Sequence, residues 1–476
     1  MRSGLQAAAA ALSSGGRAWL VGGALRDRLL GRPTEDIDVV VDGDPREAAR
    51  AVARAAGGAA CFALSEEFGS WRVVARDRSW QVDVEPMRGG SLQADLALRD
   101  FTVNAIAQPV GGGEPIDPLG GERDLREGRL RTAGPGAFAS DPLRVLRLVR
   151  LAVQLGFHAD APTEAAAREH AGGLRRVSAE RVFAELRRIV SSSAPRSGLE
   201  LMGELGVTAI VLPELDAMRG VAQNRYHHLD VYGHTLEVLD RTVELTAGGD
   251  AEFEPSLAAC LAGSRRQVDA LLAEPLADEL TRGQALRWGA LLHDAAKPLT
   301  RQVHPPGERV SFIGHDVRGA ELARELLGRL RASERLSSHV AALARNHLRL
   351  GFLVHEPQPL SRETVFAYMR TCSPVEVDVT LLSIADRLAT RGDGAERAIA
   401  AHLDLAREVL ADALRWRAEG PPRPLLRGDE LARELAIPAG PRLGELLEGL
   451  SRAQYAGHVA TREQALSYTR RLMQTI

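Results

Sequence analysis

Lysine is almost missing from this chain: Lys297 is the only one, and arginine supplies the rest of the 60 basic residues. A lone ammonium that escapes so strong an arginine bias marks a position to test for chemistry that a guanidinium does not perform. Cysteine is scarce too. Cys61, Cys260 and Cys372 are odd in number and far apart, which excludes a disulfide framework and a cysteine-based zinc site, and points to free thiols in a reducing cytoplasm. No run of about 18 consecutive apolar residues exists, so a membrane-spanning helix is excluded. The alanine run near the start lacks the strongly apolar core of a signal peptide, and a short amphipathic helix leading into a strand is expected there. A net charge of −3 excludes a global basic footprint, so a nucleic-acid binder must cluster its arginines locally.

At 476 residues, 45% hydrophobic and 26% charged, the chain is too long for one core and ordinary in composition, which predicts a modular protein of three or four units. Residues 17 to about 110 alternate β-rich runs (RAWLVGG, DIDVVVDG, SWRVVARD, WQVDVEP) with helical stretches at ALRDRLLG and DPREAARAVARAAG, which predicts a mixed α/β unit. From about 141 strand signals nearly vanish. DPLRVLRLVRLAVQLGF, SAERVFAELRRIVSSS and SGLELMGELG repeat apolar residues at helical spacing, and the remainder reads as almost wholly helical. Pro/Gly breaks near 111–115, 133–137 and 419–426 mark candidate boundaries.

The densest local pattern is LVGGALRDRLLGRPTEDIDVVVDG. Gly22 and Gly23 close a strand and open a helix, so their N–H groups are free to meet phosphate with no Cβ in the way. Asp36 and Asp38, two apart on the next strand, share one face. Two such carboxylates repel unless a cation lies between them, an arrangement suited to Mg²⁺ in a two-metal displacement. WQVDVEP offers a third acid. Asp83 and Glu85 share a face there, and Asp83, between two valines, is preferred.

In order along the chain, GGALRDRLLG…DIDVVV, RDFTVNAIA, IDPLGGERDL, DPLRVLRLVRLAVQLGF and SAERVFAELRRIV resemble the class II tRNA nucleotidyltransferases and bacterial poly(A) polymerases of the polymerase β-like superfamily. The resemblance implies template-independent addition of CMP or AMP, from CTP or ATP, to a tRNA 3′ end. It implies Asp36 and Asp38 as the metal-holding catalytic pair, with Asp83 beside them. Gly22, Gly23 and Arg26 would lie at the triphosphate. Arg99 and Asp100 would meet sugar or phosphate, and Asn104 the nucleotide or only local backbone. Asp141 and Arg144 would read the incoming base, because a carboxylate accepts from the exocyclic amine of C or A while arginine donates to ring acceptors beside it. Asp141 equally suits a helix N-terminus just before Pro142. Arg147 and Arg150 follow at helical spacing and could track triphosphate or primer.

Three positions depart from the family pattern: Ser140 stands for a Glu, Leu98 for the first Arg of RRDF, and PMRGGSLQADLAL replaces a longer flexible loop. Loss of that loop goes, in the family, with enzymes that add C but not the terminal A.

Nine of the thirteen histidines fall between 227 and 355. His234, His293 with Asp294, His315, His347 and Asp386 are suitable ligands for a divalent transition metal. In this order, and with Lys297 four residues after His293, they resemble the HD phosphohydrolase superfamily. The resemblance implies a two-metal site that lowers the pKa of a bound water, Lys297 steadying the phosphate, with a degenerate scaffold as the other possibility. The remaining histidines are expected to be structural or surface residues.

The expected organisation is an α/β polymerase β-like head (1–140), an all-α neck for base reading and RNA binding (141–215), an HD domain (216–400) and a helical tail (401–476) that resembles the C-terminal segment of the same family and offers a tRNA contact. Poly(A) polymerase, or an HD phosphohydrolase whose head only binds RNA, are the rival readings.

Overall fold

β-Branched residues flanked by glycine turns build the first unit. In chain order it runs α1 (Gly4–Leu12), β1 (Ala18–Val21), α2 (Gly22–Leu29), β2 (Asp36–Val41), α3 (Pro45–Ala55), β3 (Ala60–Ser65), β4 (Ser70–Val74), β5 (Gln81–Pro86), α4 (Leu92–Ala97) and β6 (Ala107–Pro109). The strands form one six-stranded sheet in the order β3-β4-β5-β2-β1-β6, in which only β2 and β5 are parallel. The α/β head is thus as expected, with β3 and β6 added where the sequence has weaker alternation. These are the findings of a computed structural model that describes residues 3–15, 17–65, 69–248, 253–305 and 309–475. The chain divides at Val211/Leu212 into two units.

The alternation of β2 sorts its side chains. Ile37, Val39 and Val41 are buried, while Asp36 and Asp38 emerge on the opposite face. Helices α1 and α3 pack on the sheet, and α1 is started by a capping box between Ser3 and Gln6. Helix α4 sets Leu92 and Leu96 against Val21 and Val40. After the sheet, the helix Leu143–Leu155 buries Leu146, Val149 and Val153 and packs with Ala179–Val190 and Pro195–Glu204.

The second unit is built from helices. Val231–Leu245, Arg282–Leu292, Glu334–Asn346, Glu376–Ala389 and the 25-residue Ala395–Glu419 share one apolar core. Past the Pro-rich stretch, Leu431, Leu446 and Leu450 centre a smaller core, and Tyr455 packs against Phe366 and Trp416 at 5.5 and 5.7 Å. The helical reading beyond 141 is interrupted by short two-stranded pairs, Arg129–Leu130 with His158–Ala159, Pro275–Ala277 with Leu280–Thr281, and Gln302–His304 with Arg309–Ser311. Runs of two or three residues are too short to show a period-two pattern. Cys61, Cys260 and Cys372 are free thiols, and no helix among the described residues is long and apolar enough to cross a membrane.

Candidate active sites

Register decides what surrounds the paired aspartates of the head. Val21 lies opposite Asp38 across β1 and β2, and Asp38 opposite Asp83 across β2 and β5. Asp36, Asp38, Asp83 and Glu85 therefore share one face of the sheet. Desolvation, then repulsion from Glu85 and Asp83, pushes the Asp38 carboxyl up to about 7 against the pull of Arg99. A cation between these oxygens relieves that repulsion, so the all-oxygen donor set fits Mg²⁺.

Asp83 arrives opposite Asp38, but Arg72, its cross-strand neighbour on β4, holds both of its oxygens at 2.7 Å. Glu85 carries no ion pair among the described residues. The glycine turn meets the site directly. Gly22 has φ +67°, and a Cβ there would lie 2.9 Å from Asp38 Oδ2 and 3.4 Å from Arg99 Nη1. Helix α2 starts at Val21 with no side-chain cap, which leaves the first N–H groups, Gly23 among them, open to an anion.

The other residues singled out in RDFTVNAIA and DPLRVLR form a buried chain of polar contacts. Arg26 donates to Asn104 Oδ1 at 2.8 Å, and Asn104 to Asp100 Oδ1 at 2.9 Å. Arg147 donates to Asp100 Oδ2 at 3.0 Å, and Arg150 to Glu185 at 2.6 Å. Burial raises the Asp100 pKa, yet Arg147 and Asn104 hold it below the usual carboxylate range. Arg99 pairs with fully buried Asp95 at 3.1 Å, and Arg88 does so at 3.0 Å. Arg144 donates to the carbonyls of Leu98, Arg99 and Ala137, and its buried Nε has no partner among the described residues. Asp141 caps Leu143 N–H and pairs with Arg181 at 2.7 Å, so its helix-start role is realised. Arg72 and Glu185 are not singled out by the sequence, because an arginine–carboxylate pair across strands or between helices leaves no local mark; Asp95, four residues before Arg99, carried a local signal that went unread.

In the second unit, the helix Arg282–Leu292 ends at His293, Asp294 lies in the turn that follows, and Lys297 opens the short helix Lys297–Thr300. Two ligand groups gather, His234 with His293 and Asp386, and Asp294 with His315 and His347. Asp294 joins them. Its Oδ2 lies 3.2 Å from His293 Nε2 and 3.8 Å from His234 Nε2, and its Oδ1 3.3 Å from His315 Nε2 and 3.7 Å from His347 Nε2. The Nδ1 atoms of His293, His315 and His347 donate to the carbonyls of Ala290, Phe312 and Ala344 at 2.6–2.7 Å, which turns each Nε2 lone pair inward. His347, pushed down to about 4 by burial and by His293, is neutral as a ligand must be. His293 Nε2 and Asp294 Oδ1 are buried with no hydrogen-bond partner among the described residues, a cost that a bound cation removes. The donor set of imidazoles and carboxylates fits borderline divalent metals. All six candidates are brought together.

Lys297 Nζ lies 2.6 Å from Asp294 Oδ2 and donates to Gln223 Oε1 at 2.7 Å. With Gln223, His227, Arg309, Phe352 and Arg387 it lines a cavity of about 1270 Å³ beside the ligands. His227 meets His234 edge-on at 5.0 Å, and burial, Lys297 and His234 push it down to about 3. The doublet His227–His228 just ahead of the first ligand helix was the available signal.

The poly(A) polymerase head domain family matches residues 18–131, the probable RNA- and SrmB-binding site of polymerase A matches 156–219, and the HD domain family matches 270–391. The chain is 36% identical to the A-adding tRNA nucleotidyltransferase of Deinococcus radiodurans, over 95% of this chain and 94% of that one. It is 34% identical to the CC-adding tRNA nucleotidyltransferase of Thermus thermophilus, over 95% and 92%. The Thermotoga maritima CCA-adding enzyme solved with tRNA shares the fold, with a TM-score of 0.57 at 19% identity over 96% of this chain and 91% of that one. Identity at this level over nearly the whole of both relatives places the chain in the tRNA nucleotidyltransferase family.

Proposed function

We propose that the chain adds cytidylate from CTP to the 3′ end of tRNA, making part of the CCA triplet, in the cytoplasm. The observation that carries this reading is α4. The connection between β5 and the RDFT segment is not a long flexible loop but a short helix with Leu92 and Leu96 buried and Asp95 tied to Arg88 and Arg99. In this reading Asp36 and Asp38 hold Mg²⁺, which supplies charge stabilisation in the in-line displacement. Gly22, Gly23 and the α2 N-terminus receive the triphosphate, with Arg99 beside them. Asp141 and Arg144 face the incoming base. Arg147 ties the base-reading helix to Asp100 and Asn104, Arg150 ties it to Glu185, and Asp83, held by Arg72, stands opposite Asp38.

A second reading, addition of the terminal A from ATP, is favoured by the A-adding relative. One experiment separates them: purified protein and Mg²⁺ with tRNA ending before CCA, at C, at CC, or complete, and each nucleotide supplied alone. The first reading expects C on the two shorter substrates and arrest there. A on the CC end alone supports the second, and long A tails a poly(A) polymerase.

The six-ligand site is proposed to bind a divalent transition metal, which lowers the pKa of water for phosphoester hydrolysis. Two unpartnered buried polar atoms at its centre support a working site over a scaffold.

A further inference from the structure

Helix α4 covers one end of the reacting face of the head, where Leu92 and Leu96 pack on Val21 and Val40. The other end runs along one row of cross-strand neighbours. Asp38 stands opposite Asp83, Asp83 opposite Arg72, and Arg72 opposite Phe62 on the edge strand β3. Cross-strand neighbours share a face, so Phe62 lies on the side of the aspartates. Cys61, the residue before it, turns to the other side, where Arg50 of α3 acts on its thiol. Phe62 is 47% exposed. A single exposed phenyl ring calls for no explanation by itself, but its place in this row does.

The groups proposed to meet the incoming nucleotide lie together on the β1 side of Asp38. A Cβ at Gly22 would be 3.4 Å from Arg99 Nη1, and Arg144 donates to the carbonyls of Leu98 and Arg99. In an in-line displacement the attacking 3′ hydroxyl and the departing pyrophosphate lie on opposite sides of the α-phosphorus. A triphosphate on the β1 side therefore brings the primer in from the β5 side, over Asp83 and Arg72 toward Phe62. Three strand spacings, roughly 14 Å, separate Asp38 from Phe62 along the row, which puts the ring within reach of the last two primer nucleotides. Arg72 gives Nε and Nη2 to Asp83, and its Nη1 has no hydrogen-bond partner among the described residues. One donor thus remains for a backbone phosphate.

We infer that Phe62 is a primer-binding residue: its ring stacks on a base of the last two nucleotides of the RNA, and Arg72 Nη1 holds the phosphate that joins them. Stacking reads no sequence, because every base has a π-face, and it suits an enzyme whose primer end changes with each addition. This rests on the placement of Asp36 and Asp38 at the reacting centre.

The test uses the full chain and Mg²⁺, with CTP and tRNA ending before CCA or ATP and tRNA ending at CC. Each RNA is supplied intact or with an abasic ribose at its last or penultimate position. Phe62→Ala should raise KM for the intact RNA by roughly 5- to 100-fold, the worth of one base stacked on an aromatic ring, and leave KM for the nucleotide unchanged. Phe62→Trp should keep the wild-type value. One of the abasic RNAs should be weakened by a similar factor in the wild type, and that loss should vanish in Phe62→Ala. An unchanged KM for RNA in Phe62→Ala, a loss that tryptophan does not restore, or an equal loss on intact and both abasic RNAs would overturn the inference. So would sedimentation showing a dimeric wild type and a monomeric Phe62→Ala, which assigns the ring to a second copy of the chain. Nucleotide addition by Asp38→Ala at the wild-type rate would instead overturn the placement of the reacting centre beneath it.

Discussion

Replacing Gly22 by alanine perturbs the head at one atom, and a second glycine provides the control. Both Gly22 and Gly31 adopt left-handed backbone, φ +67° and +69°. Alanine at either costs about 1–2 kcal/mol in that conformation. The surroundings differ. A Cβ at Gly31 meets nothing within 4 Å, whereas at Gly22 it lies 2.9 Å from Asp38 Oδ2. Since real Cβ atoms do not sit that close, the Asp38 carboxylate must move by several tenths of an ångström, and misplacement on the order of 1 Å costs roughly 10²-fold in rate. Gly22→Ala and Gly31→Ala should therefore lose similar stability in a denaturant titration, while CTP incorporation into tRNA lacking CCA falls about 100-fold in the first and stays within a few-fold in the second. The measurement is single-turnover addition at saturating Mg²⁺. Equal rates in the two variants would refute the assignment of Asp38 to the reacting centre.

Asp36→Ala or Asp38→Ala should abolish nucleotide addition, since each removes an oxygen ligand from the cation site; near-wild-type incorporation by either disproves the assignment. His293→Ala or Asp294→Ala should empty the second site of transition metal, as read by elemental analysis, and leave nucleotide addition largely intact, because its carboxylates lie in the other unit; undiminished metal content contradicts the ligand set. His402, buried against Ser383 Oγ at 3.1 Å, is pushed down to about 4 by burial. Protonation then favours the unfolded chain, so stability present above about pH 6.5 is lost as pH falls through 4, by up to about 3 kcal/mol. His402→Gln should flatten that part of the urea-unfolding pH profile, and an unchanged profile rejects the buried neutral imidazole.

Much of the chemistry was legible from local pattern. Two aspartates two residues apart in a β-branched run share a face in any strand, and a glycine pair before a helix exposes N–H groups wherever the fold puts them. The six histidine and aspartate candidates stand out in the sequence by type and order, because few other roles concentrate those side chains, and the structure brings them together. Their partition was not legible: His234 reaches Asp386, 152 residues away, and Asp294 lies against histidines of both groups.

Tertiary structure alone decided that Arg72 occupies Asp83, that Asp100 and Asn104 are buried in a polar chain ending at Glu185, and that His227 faces the cavity. Periodicity acts within one element and can be read along the chain. A charge pair across two strands, or a polar chain between a helix and the sheet, depends on which elements pack together, and that follows from the burial of the apolar faces opposite these residues rather than from anything adjacent to them in sequence.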